Sequence, residues 1–326
     1  MKLKTYTIKN FQTRSGYISH IYVTYQLFGQ PLGAAPVVLV NHALTGNSTI
    51  TGPNGWWKAL IGKELAIDTD CFTILAIDIP GNGYDDQAQN LITHYKEFTV
   101  FDIARVQYEI IKILEIKKLF AVIGGSLGGQ IAWELAAQQP HLIEHLIPVA
   151  SDWKATDWVL AQCHIQDTIL NNSSQPLQDS RKHAMTFYRT PASFKAKFNR
   201  TKKSKEVFHI ESWLVYHGQR LKERFSVASY KMMNHLLRSA DITAGVSSFK
   251  DVVKDISAKI HLVAIDTDGF FLADEIYQTH LSLKEAGVDT HYHEIQSIHG
   301  HDAFLIEYKQ LSAIVQPIFQ KQLCYK

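Results

Sequence analysis

A strand can turn straight into a helix around a serine only if the residues beside that serine carry almost no side chain. Gly124-Gly-Ser-Leu-Gly128 meets this condition. The residues before it, Lys118–Ile123, end in a continuous apolar run that reads as a buried strand. Those after it, from about Leu127 to Gln138, read as a helix. A serine at such a turn adopts strained angles and projects its hydroxyl at a helix N-terminus, where backbone N–H groups and the helix dipole favour an oxyanion.

The surrounding pattern fits that turn. Thr5–Phe11 and Ile21–Leu27 are rich in β-branched and aromatic residues, and Pro36–Asn41 and Phe72–Asp78 are apolar runs of the kind buried on both faces of a sheet. Apolar residues at Ile103, Val106, Ile110, Ile111 and Leu114 recur at helical spacing. Further short strands are predicted at His145–Val149, Ile260–Ile265 and His291–Ile295, and a last helix from about Asp302 to Gln320. Strands alternating with helices predict a mostly parallel sheet flanked by helices. Between about Ser151 and Ser248 the rhythm stops and the chain looks helical, rich in Trp, Tyr, Arg and Lys. This predicts a core of residues 1–150 and 249–326 with a helical cap inserted at 151–248.

A serine becomes a nucleophile at neutral pH when an imidazole takes its proton and a carboxylate holds that imidazole. In an α/β-hydrolase fold, the fold in which this turn is at home, the order along the chain is serine, acid, histidine. The strand Ile260–Ile265 ends in Asp266-Thr-Asp268, which offers two acids, with Asp274 a more distant third. The loop Ser297-Ile-His-Gly-His-Asp302 offers His299 and His301. Position favours His301, which follows a glycine and directly precedes the predicted helix. The oxyanion would meet the amide of Leu127, after the nucleophile, and one from the loop after Val37–Val40, where Leu44 is the best placed.

Other chemistries find little support. There are 33 basic and 31 acidic residues, a formal charge of +2, and no long basic stripe of the kind nucleic acids require. The cluster Arg200, Lys202, Lys203, Lys205 reads as a solvated turn. Three cysteines, Cys71, Cys163 and Cys324, without CxxC spacing, argue against a disulfide framework and a cysteine metal site. No HExxH occurs, and His291 and His293 on a strand read as surface or packing residues, so no metal is expected. No apolar run reaches membrane-spanning length, and the N-terminus lacks the apolar segment of a secretory signal. A soluble, cytoplasmic protein is expected.

His42-Ala-Leu-Thr-Gly46, Gly55-Trp-Trp57, Gly124-Gly-Ser-Leu-Gly-Gly129, Ile265-Asp-Thr-Asp268 and Gly300-His-Asp-Ala-Phe-Leu305 together resemble the homoserine O-acetyltransferase family, in the family's order and over most of the chain. Phe187-Tyr-Arg-Thr190 and Glu211–Gly218 resemble segments of its cap. The resemblance implies transfer of an acyl group from acetyl-CoA to L-homoserine through Ser126, with no bound cofactor. It selects Asp268 as the acid and His301 as the base, places substrate contacts on Thr45, Arg189, Tyr216 and Asp302, and implies a homodimer formed through the cap. The sequence carries no P-loop or dinucleotide fingerprint, so the CoA donor follows from the resemblance alone. The chain departs from the family at Asp78-Ile-Pro-Gly-Asn-Gly-Tyr84, at Gly269-Phe-Phe-Leu272 and at Leu127, all outside the three reacting residues.

Overall fold

The computed structural model describes residues 3–246 and 248–320; Cys324 lies outside them. Strands β1 (Lys4–Gln12) and β2 (Ile18–Gly29) form an antiparallel hairpin. It is followed by β3 (Val37–Asn41), a two-stranded ribbon of β4 (Ile61–Gly62) and β5 (Ile67–Asp68), and then β6 (Thr73–Ile77). Helix α1 (Val100–Ile113) leads to β7 (Leu119–Gly125), α2 (Leu127–Gln138) and β8 (Ile143–Val149). Five helices follow in succession: α3 (Asp157–Asn172), α4 (Pro176–Tyr188), α5 (Pro191–Phe198), α6 (His209–Lys222) and α7 (Val227–Arg238). A short α8 (Phe249–Val253), β9 (Lys259–Ile265), α9 (Ala273–Glu285), β10 (Thr290–Ile295) and α10 (Tyr308–Gln320) complete the chain.

The main sheet has eight strands in the order β1-β2-β6-β3-β7-β8-β9-β10. β2 runs antiparallel to its neighbours, and every pairing from β6 to β10 is parallel. β3, β6 and β7 are buried at every position, which is why they read as unbroken apolar runs. One face packs against α1 and α2, through Ile103, Ile110, Ile131 and Leu135 among others. The other packs against α10 and the 50–67 segment, through Ile50, Trp57, Leu311 and Phe319. Thr99 and Asp102 start α1 with a capping box, and Asp102 also takes the amide of Arg14, tying the hairpin to the helix. Among the described residues no helix is long and apolar enough to cross a membrane.

One expectation needs correction. The stretch from Asp302 to Gln320 is not a single helix: Gly300–Leu305 forms a 3-10 turn, and α10 starts only at Tyr308. The amides of Ile306 and Glu307 both close back on the Ala303 carbonyl, which ends the turn, and the Glu307 carbonyl then starts α10 by accepting from Leu311. The turn is tight because it passes under α4. Gly300 has φ +64°, and a Cβ there would lie 3.0 Å from the Tyr188 carbonyl. Asp302 therefore sits inside a turn rather than capping a helix.

Candidate active site

The strand–helix turn takes the form its glycines require. Ser126 has φ +54° and ψ −123°, a region closed to most residues, and is 4% exposed. Its amide donates to the Val149 carbonyl at 2.9 Å, fixing the turn to β8. A Cβ on Gly124 would lie 2.4 Å from the Gly128 carbonyl carbon, and one on Gly128 would lie 2.5 Å from the Asn41 carbonyl oxygen. Backbone opposes backbone at both points, so neither position tolerates a side chain.

Beyond the carboxyl ends of the strands, the loop after β9 meets the loop after β10. His301 Nδ1 lies 2.7 Å from Asp268 Oδ2, with both side chains almost fully buried. Asp268 Oδ1 accepts from the amides of Phe270 and Phe271, at 2.7 and 3.0 Å. Both oxygens of the carboxylate are thus engaged. The His301 ring is enclosed by Tyr188, Phe270, Phe271 and Phe304, with centroids 5.3, 5.3, 5.7 and 5.6 Å away. Asp266 and His299 have other partners. Asp266 accepts the Ser297 amide and so ties the two loops together. His299 Nδ1 takes hydrogen bonds from Arg189 and stands 3.0 Å from Ser193 Oγ.

The loop 42–48 is pinned from below by Asp78, at the end of β6. This buried carboxylate accepts from the Ser48 amide and hydroxyl, both at 2.7 Å, from Thr24 Oγ1 at 2.8 Å and from Asn82 Nδ2 at 3.2 Å. Nearby, His42 Nε2 accepts the Ile79 amide, and its Nδ1 lies 2.8 Å from the Ala43 carbonyl. This is the neutral ring, in keeping with a pKa lowered chiefly by burial. The amides of Leu44 and Leu127 have no hydrogen-bond acceptor among the described residues.

Opposite charges lie next to His301. Arg189 Nη1 is 3.6 Å from Asp302 Oδ2, with the two side chains only 13% and 17% exposed. The rest of the Arg189 guanidinium is engaged by Ser193 Oγ and His299. Burial pushes the Asp302 carboxyl above its ordinary range, and Arg181, His301 and Arg189 pull against that rise. Arg181 was not singled out in the sequence, yet its guanidinium lies over the Tyr188 ring, 5.7 Å from the centroid, and Tyr188 itself packs on His301. It makes no ion pair or hydrogen bond among the described residues. The signal that would have found it is its spacing of seven from Tyr188, which sets both on one face of α4. His217 on α6 faces the same cations: burial, Arg181, Lys197, Arg189 and Arg224 draw it down to about 4. Thr45 is reached by Arg224, whose Nη1 donates to the Thr45 carbonyl at 3.4 Å. Tyr216 is not brought to this group. It is 58% exposed, and its ring packs against that of His217 on the same helix, at 5.5 Å. No cluster of three His, Cys, Asp or Glu side chains among the described residues is arranged to hold a metal ion.

A strained buried serine at a helix start, an imidazole held by a carboxylate and two unused amides are the parts that acyl transfer needs, although no hydrogen bond joins Ser126 to His301 among the described residues. The sequence profile of the α/β hydrolase fold family matches residues 36–206. The chain is 32% identical to the homoserine O-acetyltransferase of Haemophilus influenzae (strain 86-028NP), over 90% of this chain and 91% of that one. It belongs to the homoserine O-acetyltransferase family. A second family member, from Cyclobacterium marinum, is 33% identical over 87% of this chain and 84% of its own. Among solved structures, a homoserine O-acetyltransferase from Bacillus anthracis superposes with a TM-score of 0.88 at 21% identity, covering 98% of this chain and 97% of that one. Esterase E22 superposes with a TM-score of 0.85 at 19% identity, covering 98% and 99%. At such identities these superpositions establish the fold alone, which the family shares with esterases.

Proposed function

We propose that this chain is a homoserine O-acetyltransferase, moving the acetyl group of acetyl-CoA to the side-chain hydroxyl of L-homoserine on the route to methionine. In this reading Ser126 is the nucleophile, His301 the base and Asp268 the group that holds the base. Ser126 attacks the thioester carbonyl while His301 takes its proton, and the amides of Leu127 and Leu44 receive the oxyanion. The tetrahedral adduct collapses, the C–S bond breaks, and the CoA sulfur leaves with the proton from His301. Homoserine then enters, His301 takes its hydroxyl proton, and the new alkoxide attacks the acetyl-serine. Collapse of that second adduct returns the proton to Ser126.

The observation that carries transfer over hydrolysis is the charge arrangement beside His301. A plain ester has no use for it, whereas an α-amino acid is a zwitterion. Asp302 receives the ammonium. The carboxylate goes to Arg181, whose donors are unengaged; Arg189, occupied by Ser193 and His299, acts by holding Asp302. Thr45 lines the acceptor's approach, and Tyr216 stays outside the scheme. Residues 151–248 serve as a cap that keeps water from the acetyl-serine. The protein acts in the cytoplasm as a homodimer joined through this cap, whose α6 exposes Val215 and Tyr216.

The test measures thiol release from acetyl-CoA and from succinyl-CoA, each with homoserine, serine or no acceptor, with Ser126→Ala as control. Release from acetyl-CoA that depends on homoserine supports the proposal. Equal release without an acceptor makes the protein a hydrolase.

A further inference from the structure

A cavity of about 540 Å³ lies where the chain leaves β8 for the helical segment and where it comes back. One wall is the stretch 152–158 between β8 and α3. Phe249 at the start of α8 and the first turns of α9, with Glu275 and Thr279, form the rest. Ser126, His301, Arg181 and Asp302 do not line it, so it is a separate place from the active site. Its walls lack a cation. Asp152 is 5% exposed and has no ion pair among the described residues. Its Oδ1 accepts from the Trp153 amide at 2.8 Å, but Oδ2 has only the Thr279 hydroxyl, at 3.0 Å, which it shares with Oδ1. Burial, and then Glu275, push this carboxyl up to about 7, as expected where the charge has no counter-ion. Asp157 and Glu275 also have no ion pair among the described residues. The one cation on the wall, Lys154, holds its ammonium over the Trp153 ring, 4.6 Å from the centroid, rather than on a carboxylate. Thr156 keeps a buried hydroxyl oxygen without a partner. Trp158 is 46% exposed and packs on no other ring among the described residues, while its Nε1 donates to the Gly269 carbonyl at 2.7 Å and fixes the indole.

We propose that this cavity binds a primary organic ammonium ion, with Asp152 and Glu275 taking its N–H groups and Trp158 its apolar body. The site is independent of which donor and acceptor the active site uses. The carboxylates are not grouped to hold a metal ion, so the cation that answers them is an organic one. Asp152 Oδ2 and Thr156 Oγ1 lack hydrogen-bond donors, which a primary ammonium supplies and a quaternary one does not. The free face of Trp158 gives the carbon skeleton a flat surface on which to pack.

The experiment is isothermal titration of the whole protein with 2-phenylethylammonium, with 2-phenylethanol, which keeps the ring and lacks the charge, and with 3-phenylpropanoate, which reverses it. The ammonium binds, and the other two bind at least about tenfold more weakly. Glu275→Gln, at a side chain that makes no ion pair or hydrogen bond among the described residues, keeps the fold and weakens the ammonium by about tenfold, and Asp152→Asn does the same. Asp302→Asn leaves this binding unchanged. Equal binding of the three probes, no heat at millimolar ammonium, or wild-type affinity in Glu275→Gln overturns the proposal. So does loss of binding in Asp302→Asn, which assigns the probe to the active site instead.

Discussion

Replacing Asp268 by Asn leaves the shape of the site almost untouched and reverses its chemistry. The Phe270 and Phe271 amides both point at Oδ1, so an asparagine must turn its carbonyl oxygen to them. Its NH₂ group then faces His301 Nδ1, at the position where the carboxylate oxygen now lies 2.7 Å away. Flipping the amide would set NH₂ against two N–H donors. Nδ1 must therefore become an acceptor, and the ring proton moves to Nε2, the nitrogen that has to take the serine proton. The imidazolium also loses its counter-charge. For an inverted tautomer of this kind the rate falls by about 10⁴, or about 5 kcal/mol of barrier. The assay is single-turnover acetylation of the enzyme from acetyl-CoA, with the melting temperature as a control for folding. A folded Asp268→Asn protein that acetylates within tenfold of wild type would refute the argument, since the two backbone amides would then not dictate the amide's orientation.

Three further outcomes are expected. Arg181→Gln raises the KM for homoserine by roughly 10- to 100-fold and costs much less with 3-aminopropan-1-ol, which lacks the carboxylate; an equal loss with both acceptors would remove Arg181 from the substrate. In Gly125→Ala the new methyl lies 2.6 Å from Phe304 Cε2, and Phe304 packs on His301, so kcat drops by about 10- to 100-fold while the protein stays folded; unchanged turnover in a purified variant would contradict this. His261 is 7% exposed and is drawn down to about 3 by burial and by His145, His291, His293 and Lys259. Its folded pKa lies below its unfolded one, so the unfolded chain binds the extra proton. Stability is complete above about pH 6.5 and is lost as pH falls, by up to about 2 kcal/mol at pH 5. Urea unfolding at pH 5 and 7.5 reads this, and His261→Phe flattens the slope unless the histidine row is irrelevant to stability.

The parts of the fold legible in the sequence are those where one residue's environment is set by its neighbours in the chain. β3, β6 and β7 are buried throughout, so their apolar runs have no other outlet. The turn at Ser126 announces itself because Gly124 and Gly128 face backbone, a constraint that no other residue satisfies. The break after Leu305 left no such mark. Ala303 and Phe304 are buried in the turn as they would be in a helix, so periodicity continues across the interruption. The choice between Asp266 and Asp268 depended on where two loops, from β9 and β10, come to lie, and spacing within one loop does not encode that. Arg181 was missed for a similar reason. Along α4 it is one charged residue beside Lys182 and Asp179; its spacing of seven from Tyr188 puts the two on one face, but that spacing gains meaning only when helix packing brings Tyr188 onto His301.

Four aromatic rings around His301 leave that side chain no freedom to swing, and this limits the order of events in the proposed reaction. An imidazole able to rotate serves two partners arriving from different directions. A clamped one offers a single nitrogen along a single line, so the departing sulfur and the incoming hydroxyl must occupy the same spot in turn. The leaving thiol has to vacate before the amino acid can be deprotonated, and a compound that lodges there blocks both halves of the cycle at once.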